Sequence, residues 1–250
     1  MGPEPVAIRV ELCGALTVEV DGRRVEDDLP GRQGRLLFAC RARNHDRPVR
    51  RDELVDVVWD DHPPGSPDAG LAALLTRVRQ ALGPDAVAGR AHLQLAGEVW
   101  VDLDEARAAA AEAEEALAAG DARRAAERAR AALERFERPL LPELAGRWVD
   151  DQRAELDGLH SDALETLARA ALRLGGGELP AADRAARALI QREPYRESGY
   201  ALLMELLAAR GNLAEALRAY EALRELLRAQ LGISPSPPLR QLHAKLLASV

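Results

Sequence analysis

Residues 183–223 constrain the fold more than any other stretch of this chain. Asp183 to Arg192 carries a helical pattern, and Glu193-Pro194-Tyr195 breaks it. A second helical run follows to Arg210, Gly211-Asn212 turns the chain, and a third run continues through Leu223. Small residues stand where two antiparallel helices would touch, and large ones where a third would pack. A single pair of such helices cannot bury its apolar face, so neighbours must stack into an array. Stacked arrays present surfaces for binding proteins and rarely carry out chemistry.

The same character extends back to Asp102. From there strand patterns vanish and Ala, Leu, Glu and Arg dominate, punctuated by Gly120-Asp121, Pro139 to Pro142, Gly175-Gly176-Gly177 and Pro235 to Pro238. The periodicity predicts helices over about 103–119, 121–137, 147–174, 180–192, 196–210, 213–231 and 237–248. Helix pairs in this order have the grammar of a tetratricopeptide-like helical array. Aromatic residues are only 3% of the chain, so its core must be built mainly from Leu, Val and Ala.

The first hundred residues read differently. Val6, Ile8, Val10 and Leu12 alternate, as do Leu16, Val18 and Val20, and Asp21-Gly22 is a hairpin turn signal. Three short antiparallel strands are predicted, the third around Arg24-Val25. A helix follows Leu29-Pro30-Gly31, with Leu36, Leu37, Phe38 and Cys40 on or near one face. A short second helix carries Leu54, Val55, Val57, Val58 and Trp59, and residues 60–65 form a loop. The third helix has Ser66 as N-cap and Pro67 at the first turn, where a missing N–H costs nothing. It runs to Leu82 with Leu71, Leu74, Leu75, Val78 and Leu82 as its apolar stripe. Residues 86–101 return to a strand pattern with Gly97 at the turn. The domain boundary falls near residue 102, separating 1–101 from 102–250.

Composition removes several classes of function. The formal net charge is -7, which argues against a long nonspecific nucleic-acid surface, because phosphate binding needs concentrated positive charge. Lys245 is the only lysine. Cys13 and Cys40 fit no metal spacing and read as reduced, buried thiols. The five histidines are scattered without metal-ligand spacing. Gly175-Gly176-Gly177 lacks the Lys-Ser/Thr of a phosphate loop and reads as a helix end and turn. Asp102, Asp104, Asp150 and Asp151 read as helix-start acids. No catalytic, metal or cofactor constellation can be assembled, so an enzyme is not expected. No signal peptide or membrane-spanning stretch is evident, and the expected location is the cytoplasm.

Strands, three helices and a terminal hairpin, in that order, resemble the winged-helix output domain of response regulators. Ile8-Arg-Val-Glu-Leu-Cys-Gly, Val20-Asp-Gly-Arg-Arg-Val, Leu29-Pro-Gly-Arg-Gln-Gly-Arg-Leu-Leu, Arg47-Pro-Val, Asp52-Glu-Leu-Val and Trp59 are similar to the N-terminal half of the Streptomyces antibiotic regulatory protein family. Leu141-Pro-Glu, Trp148, Glu193-Pro-Tyr-Arg-Glu, Leu203-Met, Gly211, Glu215-Ala-Leu-Arg-Ala-Tyr, Leu231-Gly-Ile-Ser-Pro-Ser-Pro and Leu239 resemble that family's bacterial transcriptional activator domain. The resemblance implies an α+β N-terminal winged helix followed by an all-α tetratricopeptide-like helical array. It implies a DNA-binding transcriptional regulator, an activator on direct repeats of double-stranded DNA that recruits RNA polymerase through its sigma or alpha subunits. Helix 67–82 would enter the major groove, the hairpin at about 86–101 would be the wing, and loop 60–66 would face polymerase. The array would supply homodimer contacts.

Within that frame, the outward face of the third helix offers Ala73, Thr76, Arg77 and Gln80. Arg77 is best placed for a base edge, because bidentate Arg–guanine contact is the commonest specific readout. Arg79 points elsewhere, toward a phosphate or a salt bridge, and Arg90 is the cation nearest the wing. Residues 32–51 hold seven arginines against one acid, Asp46. A run of this kind is ordinarily a solvated helix face. The resemblance selects Arg32, Arg35 and Arg51 as phosphate-positioning residues and leaves the others as surface charge. The sequence also departs from the family. Residues 1–100 contain 13 arginines and 16 acids, a net of about -3, which is unusual for a DNA reader. A second reading therefore stays open, a protein-interaction adaptor with weakened or lost DNA binding. A ligand sensor with a pocket in the array is a third.

Overall fold

The alternation near the N-terminus becomes three antiparallel strands, β1 (Ala7–Glu11), β2 (Thr17–Val20) and β3 (Arg23–Arg24). The computed structural model describes residues 7–83, 87–89 and 92–248. Ile8 pairs with Val20 and Val10 with Val18, so all four side chains fall on one face and are buried. Asp21 and Gly22 have φ of 48° and 80°, the two positive values that a two-residue hairpin with matching twist requires.

Three helices follow: α1 (Gly31–Arg43), then β4 (Val49–Arg50) leading into α2 (Arg51–Trp59), then α3 (Pro67–Leu82). Their apolar stripes pack on one another, burying Leu36, Leu37, Phe38, Leu54, Val58, Leu71, Leu74, Leu75 and Val78. Gly70 lets α3 approach the preceding loop. A Cβ there would lie 3.2 Å from Pro64 and 3.3 Å from Trp59.

The expected hairpin at 86–101 is realised differently. β5 (Val87–Ala88) and β6 (His92–Leu95) form the antiparallel pair, and β4 joins β6 on its other side. β7 (Glu98–Val101) instead runs parallel to β1, in a sheet ordered β3-β2-β1-β7. The register places Val101 beside Val10, and both are buried. Alternation alone cannot tell which neighbour a strand will choose, because the same apolar face satisfies either sheet.

The remaining elements are α4 (Asp102–Ala118), α5 (Ala122–Phe136), α6 (Arg147–Leu174), a 3₁₀ turn (Gly176–Glu178), α7 (Leu179–Arg192), α8 (Glu197–Ala209), α9 (Leu213–Leu231) and α10 (Pro237–Leu247). Their ends lie within one residue of those read from the periodicity. A small N-terminal sheet is thus followed by a helical array.

The chain divides into two compact units. The first is Met1–Ala106 with Arg135–Asp157, and the second is Arg107–Glu134 with Gly158–Val250. In the first unit, the backbone just beyond β1 leaves its ladder and is held by side chains from far along the chain. Asp102 accepts from the amides of Leu12 at 2.8 Å and Cys13 at 3.1 Å. Glu143 accepts from the Leu16 amide at 2.8 Å. Leu141, at φ 44°, donates its amide to the carbonyls of Leu12 and Gly14, each at 3.1 Å. Arg153 of α6 gathers the carbonyls of Leu140, Leu141 and Leu144 at 3.0, 2.7 and 3.0 Å. Cys13 and Cys40 are free and buried, and burial pushes both thiols up to about 12.

In the second unit, alanines allow close helix contact; Ala125, Ala126, Ala129 and Ala132 of α5 are all buried. The Glu193-Pro-Tyr-Arg-Glu motif ties three helices together. Arg196 pairs with Asp162 and Glu165 of α6, both at 2.7 Å. Glu197 accepts from the Ser236 amide at 2.9 Å at the start of α10.

Candidate nucleic-acid interface

The outward face of α3 is made by what its core stripe leaves over. Leu71, Leu74, Leu75, Val78, Ala81 and Leu82 are buried. Asp68, Ala69, Ala72, Ala73, Thr76, Arg77 and Gln80 are exposed. Ser66 occupies the N-cap position with Pro67 in the first turn, but its side chain makes no capping hydrogen bond. Ala73 presents a methyl group, and Gln80 an amide, on this face. The Thr76 hydroxyl donates back to the Ala72 carbonyl at 2.9 Å, so only its lone pairs remain for a partner. Arg77 is exposed and has no ion pair among the described residues.

Four other candidate guanidinium groups, those of Arg79, Arg32, Arg35 and Arg51, are engaged within the protein. Arg79 is half-buried, and donates to the carbonyls of Val87 at 3.3 Å and Gly89 at 3.1 Å. It therefore anchors β5 to α3. Arg32 donates to the Ala145 carbonyl. Arg35 pairs with Asp27 at 3.3 Å. Arg51 donates to the Asp68 carbonyl at 3.3 Å and lies 3.9 Å from the Asp68 carboxylate. Arg90 lies outside the described residues. Asp68 itself is 89% exposed in its side chain. It sits in the first turn of α3, where the helix dipole favours an anion.

The arginine run of residues 32–51 is not uniformly a solvated face. Arg41 is 1% exposed. One of its nitrogens donates weakly, at 3.4 Å, to the carbonyls of Asn44 and Arg47. Its Nε and Nη2 have no partner among the described residues, and burial pulls its pKa down. Helical spacing places it on the core side, which a count of charges does not reveal. Arg47 pairs with Glu53 at 2.7 Å and Arg50 with Asp52 at 2.6 Å. Arg23, on the short strand β3, donates to the Ala81 carbonyl at the end of α3 at 3.1 Å. Its partner lies 58 residues away, so no local signal marks it.

Loop 60–66 is held down at its start. Asp61 pairs with Arg147 at 2.6 Å, and Asp60 accepts from the Arg147 amide at 3.3 Å. A cavity of about 310 Å³ here is lined by Asp56, Asp60, Asp61, Arg147, Trp148 and Asp151. Among the described residues, no group of three or more His, Cys, Asp or Glu is placed to hold a metal. No described helix is long and apolar enough to cross a membrane.

Known proteins resemble the chain along nearly all its length. Regulatory protein AfsR of Streptomyces coelicolor is 31% identical over 247 residues, which is 98% of this chain but 24% of AfsR. Transcriptional regulatory protein EmbR of Mycobacterium tuberculosis is 27% identical over 94% of this chain and 62% of EmbR. Transcriptional regulator RedD of Streptomyces coelicolor is 30% identical over 86% of this chain and 63% of RedD. The chain thus spans about a quarter of AfsR and less than two thirds of EmbR and RedD. The solved structure of Mycobacterium tuberculosis EmbR in complex with low affinity phosphopeptide matches with a TM-score of 0.86 at 25% identity, covering 98% of this chain and 66% of that one. The description of the bacterial transcriptional activator domain matches residues 101–247. With more than half its length inside that match, and with AfsR, EmbR and RedD as relatives, the chain belongs to the bacterial transcriptional activator domain family of Streptomyces antibiotic regulatory protein type.

Proposed function

We propose that this protein is a DNA-binding transcriptional activator. α3 enters the major groove as the recognition helix of a winged-helix domain, residues 1–101, and the β5–β6 hairpin serves as the wing. The array, residues 102–250, is tetratricopeptide-like and supplies homodimer contacts on direct repeats. Loop 60–66 meets RNA polymerase through its sigma or alpha subunits. The protein works in the cytoplasm, without a cofactor and without catalysis. The observation that carries this reading is Arg77, a guanidinium on the solvent face of α3 with no ion pair among the described residues, in a chain whose relatives are named transcriptional regulators. Ala73, Thr76 and Gln80 flank it and complete a surface for base edges.

An electrophoretic shift against the DNA upstream of the protein's own gene, at low salt, tests the proposal. Arg77→Ala is expected to weaken specific binding by about 1–3 kcal/mol. Absence of any shift by the unmodified protein at low salt would overturn the reading. A second reading, an adaptor that has lost strong DNA binding, draws support from the engaged state of Arg32, Arg35, Arg51 and Arg79. A stable protein partner recovered without DNA enrichment would favour it.

A further inference from the structure

The second unit contains a groove lined by α7, α8 and α9. α8 packs against both α7 and α9. One face of α8 carries Tyr200, Leu203 and Leu207 at helical spacing, and Ile190 of α7 adds to this apolar floor. The facing residues of α9 include Ala219 and Ala222, whose short side chains leave a cavity of about 550 Å³. Small-molecule sites commonly fall between about 300 and 1,000 Å³. A specific protein interface needs far more contact, roughly 1,200–2,000 Å² in total.

Two polar features point to the chemistry of an occupant. Tyr200 is 8% exposed, yet its hydroxyl makes no hydrogen bond among the described residues. The ring is buried while the hydroxyl, which is not among the buried unpartnered polar atoms, opens to the groove and is available as a donor. Burial also raises its pKa, so it remains a neutral donor. The second feature is charge. Arg187 and Arg218 line the groove from opposite helices against one lining acid, Glu215. Arg187 is shared with Asp183 at 3.0 Å, whereas Arg218 is exposed and has no ion pair among the described residues. Apolar floor, cationic rim and an accessible hydroxyl together match an anion with an apolar body.

We infer that this groove binds a small amphipathic carboxylic acid, with its apolar part against Leu203, Leu207 and Ile190 and its carboxylate on Arg218, the Tyr200 hydroxyl supplying a second donor. The groove lies within the second unit, and its occupancy is measured without DNA.

Decanoate is the test probe, with 1-decanol as its uncharged counterpart, titrated into the full chain without DNA. Calorimetry reports affinity, and methyl NMR reports location. Decanoate should bind saturably below its micelle-forming concentration and shift the methyls of Ile190, Leu203 and Leu207. Arg218→Gln should weaken decanoate by about tenfold while leaving decanol unchanged, since the lost contact is charge-assisted. Ala222→Leu fills the cavity and should abolish both, with circular dichroism confirming that the helices remain. Tyr200→Phe, which keeps the ring, should weaken decanoate less than Arg218→Gln does. No saturable binding, shifts spread away from these three methyls, or full affinity in Arg218→Gln would overturn the proposal.

Discussion

Asp102 does two jobs, only one of which its position at a helix start advertises. It begins α4, and it accepts the amides that β1 leaves unpaired beyond its last rung. Asn at this position would turn one acceptor into a donor facing a donor, leaving buried N–H groups unsatisfied at about 1–3 kcal/mol. Asp102→Asn is therefore expected to lower the urea midpoint of unfolding. The pH dependence has a defined sign. Burial holds the Asp102 carboxyl above its ordinary value, so the native state keeps a proton that the unfolded chain has already released. The stability from this group is fully present below the unfolded value, about 3.9, and is lost as pH rises through the native one. The difference between unmodified protein and Asp102→Asn, followed in urea from acid to neutral pH, isolates that component. Asp68 matters at the surface instead. It neutralises part of Arg51 and turns a carboxylate outward beside the candidate DNA face. Asp68→Asn is expected to raise DNA affinity roughly threefold at low salt, read in the same shift assay; unchanged affinity would place Asp68 off the interface.

At the scale of elements, family motifs acquire physical reasons. Glu193-Pro-Tyr-Arg-Glu breaks α7 from α8, as its proline and turn residues predict. What periodicity could not convey is that Arg196 reaches back to α6 and Glu197 forward to α10. Glu165 is 15% exposed in its side chain, and Arg196 is its neighbour together with Ser198 and Arg169. Arg196→Ala should cost about 1–2 kcal/mol, more than an exposed pair would, because it removes one of three partners from a partly buried carboxylate. Thermal unfolding of the variant checks this; a loss under about 0.5 kcal/mol would mark the cluster as ordinary surface charge. α3 shows the same division. Its extent and apolar stripe were readable from Ser66-Pro67 to Gly83, whereas the task of Arg79 depended on where β5 came to rest.

For the whole molecule, the return of Arg135–Asp157 to the first unit has a consequence for dissection. Leu140, Leu141, Leu144 and Val149 are buried, and each buried aliphatic side chain contributes about 1.5–3 kcal/mol. A fragment of residues 1–106 lacks these and also lacks Glu143 and Arg153. It is expected to show no cooperative urea transition by circular dichroism. Equal stability of the fragment and the full chain would refute this. Sequence could not announce the return, because no local pattern marks residues 138–146 as the binding partner of residues 12–16. Their pairing rests on backbone amides meeting carboxylates and carbonyls more than a hundred residues away.

By itself, the sequence determined the first hairpin, the order and ends of the long helices, and most of their buried faces. Those depend on local physics: the 3.6 and 2.0 periods of side-chain direction, and the turn chemistry of Gly, Pro and Asn. It also carried the family motifs. Tertiary structure alone decided which arginines are free to meet a partner. A guanidinium in this chain is available or occupied according to acceptors supplied from afar, as with Arg32 and the Ala145 carbonyl 113 residues on. Tertiary structure likewise sent β7 to β1 rather than to β6, and left Tyr200 with Arg218 around a cavity opened by two alanines. Each of these is a long-range pairing of groups whose local sequence suited more than one partner.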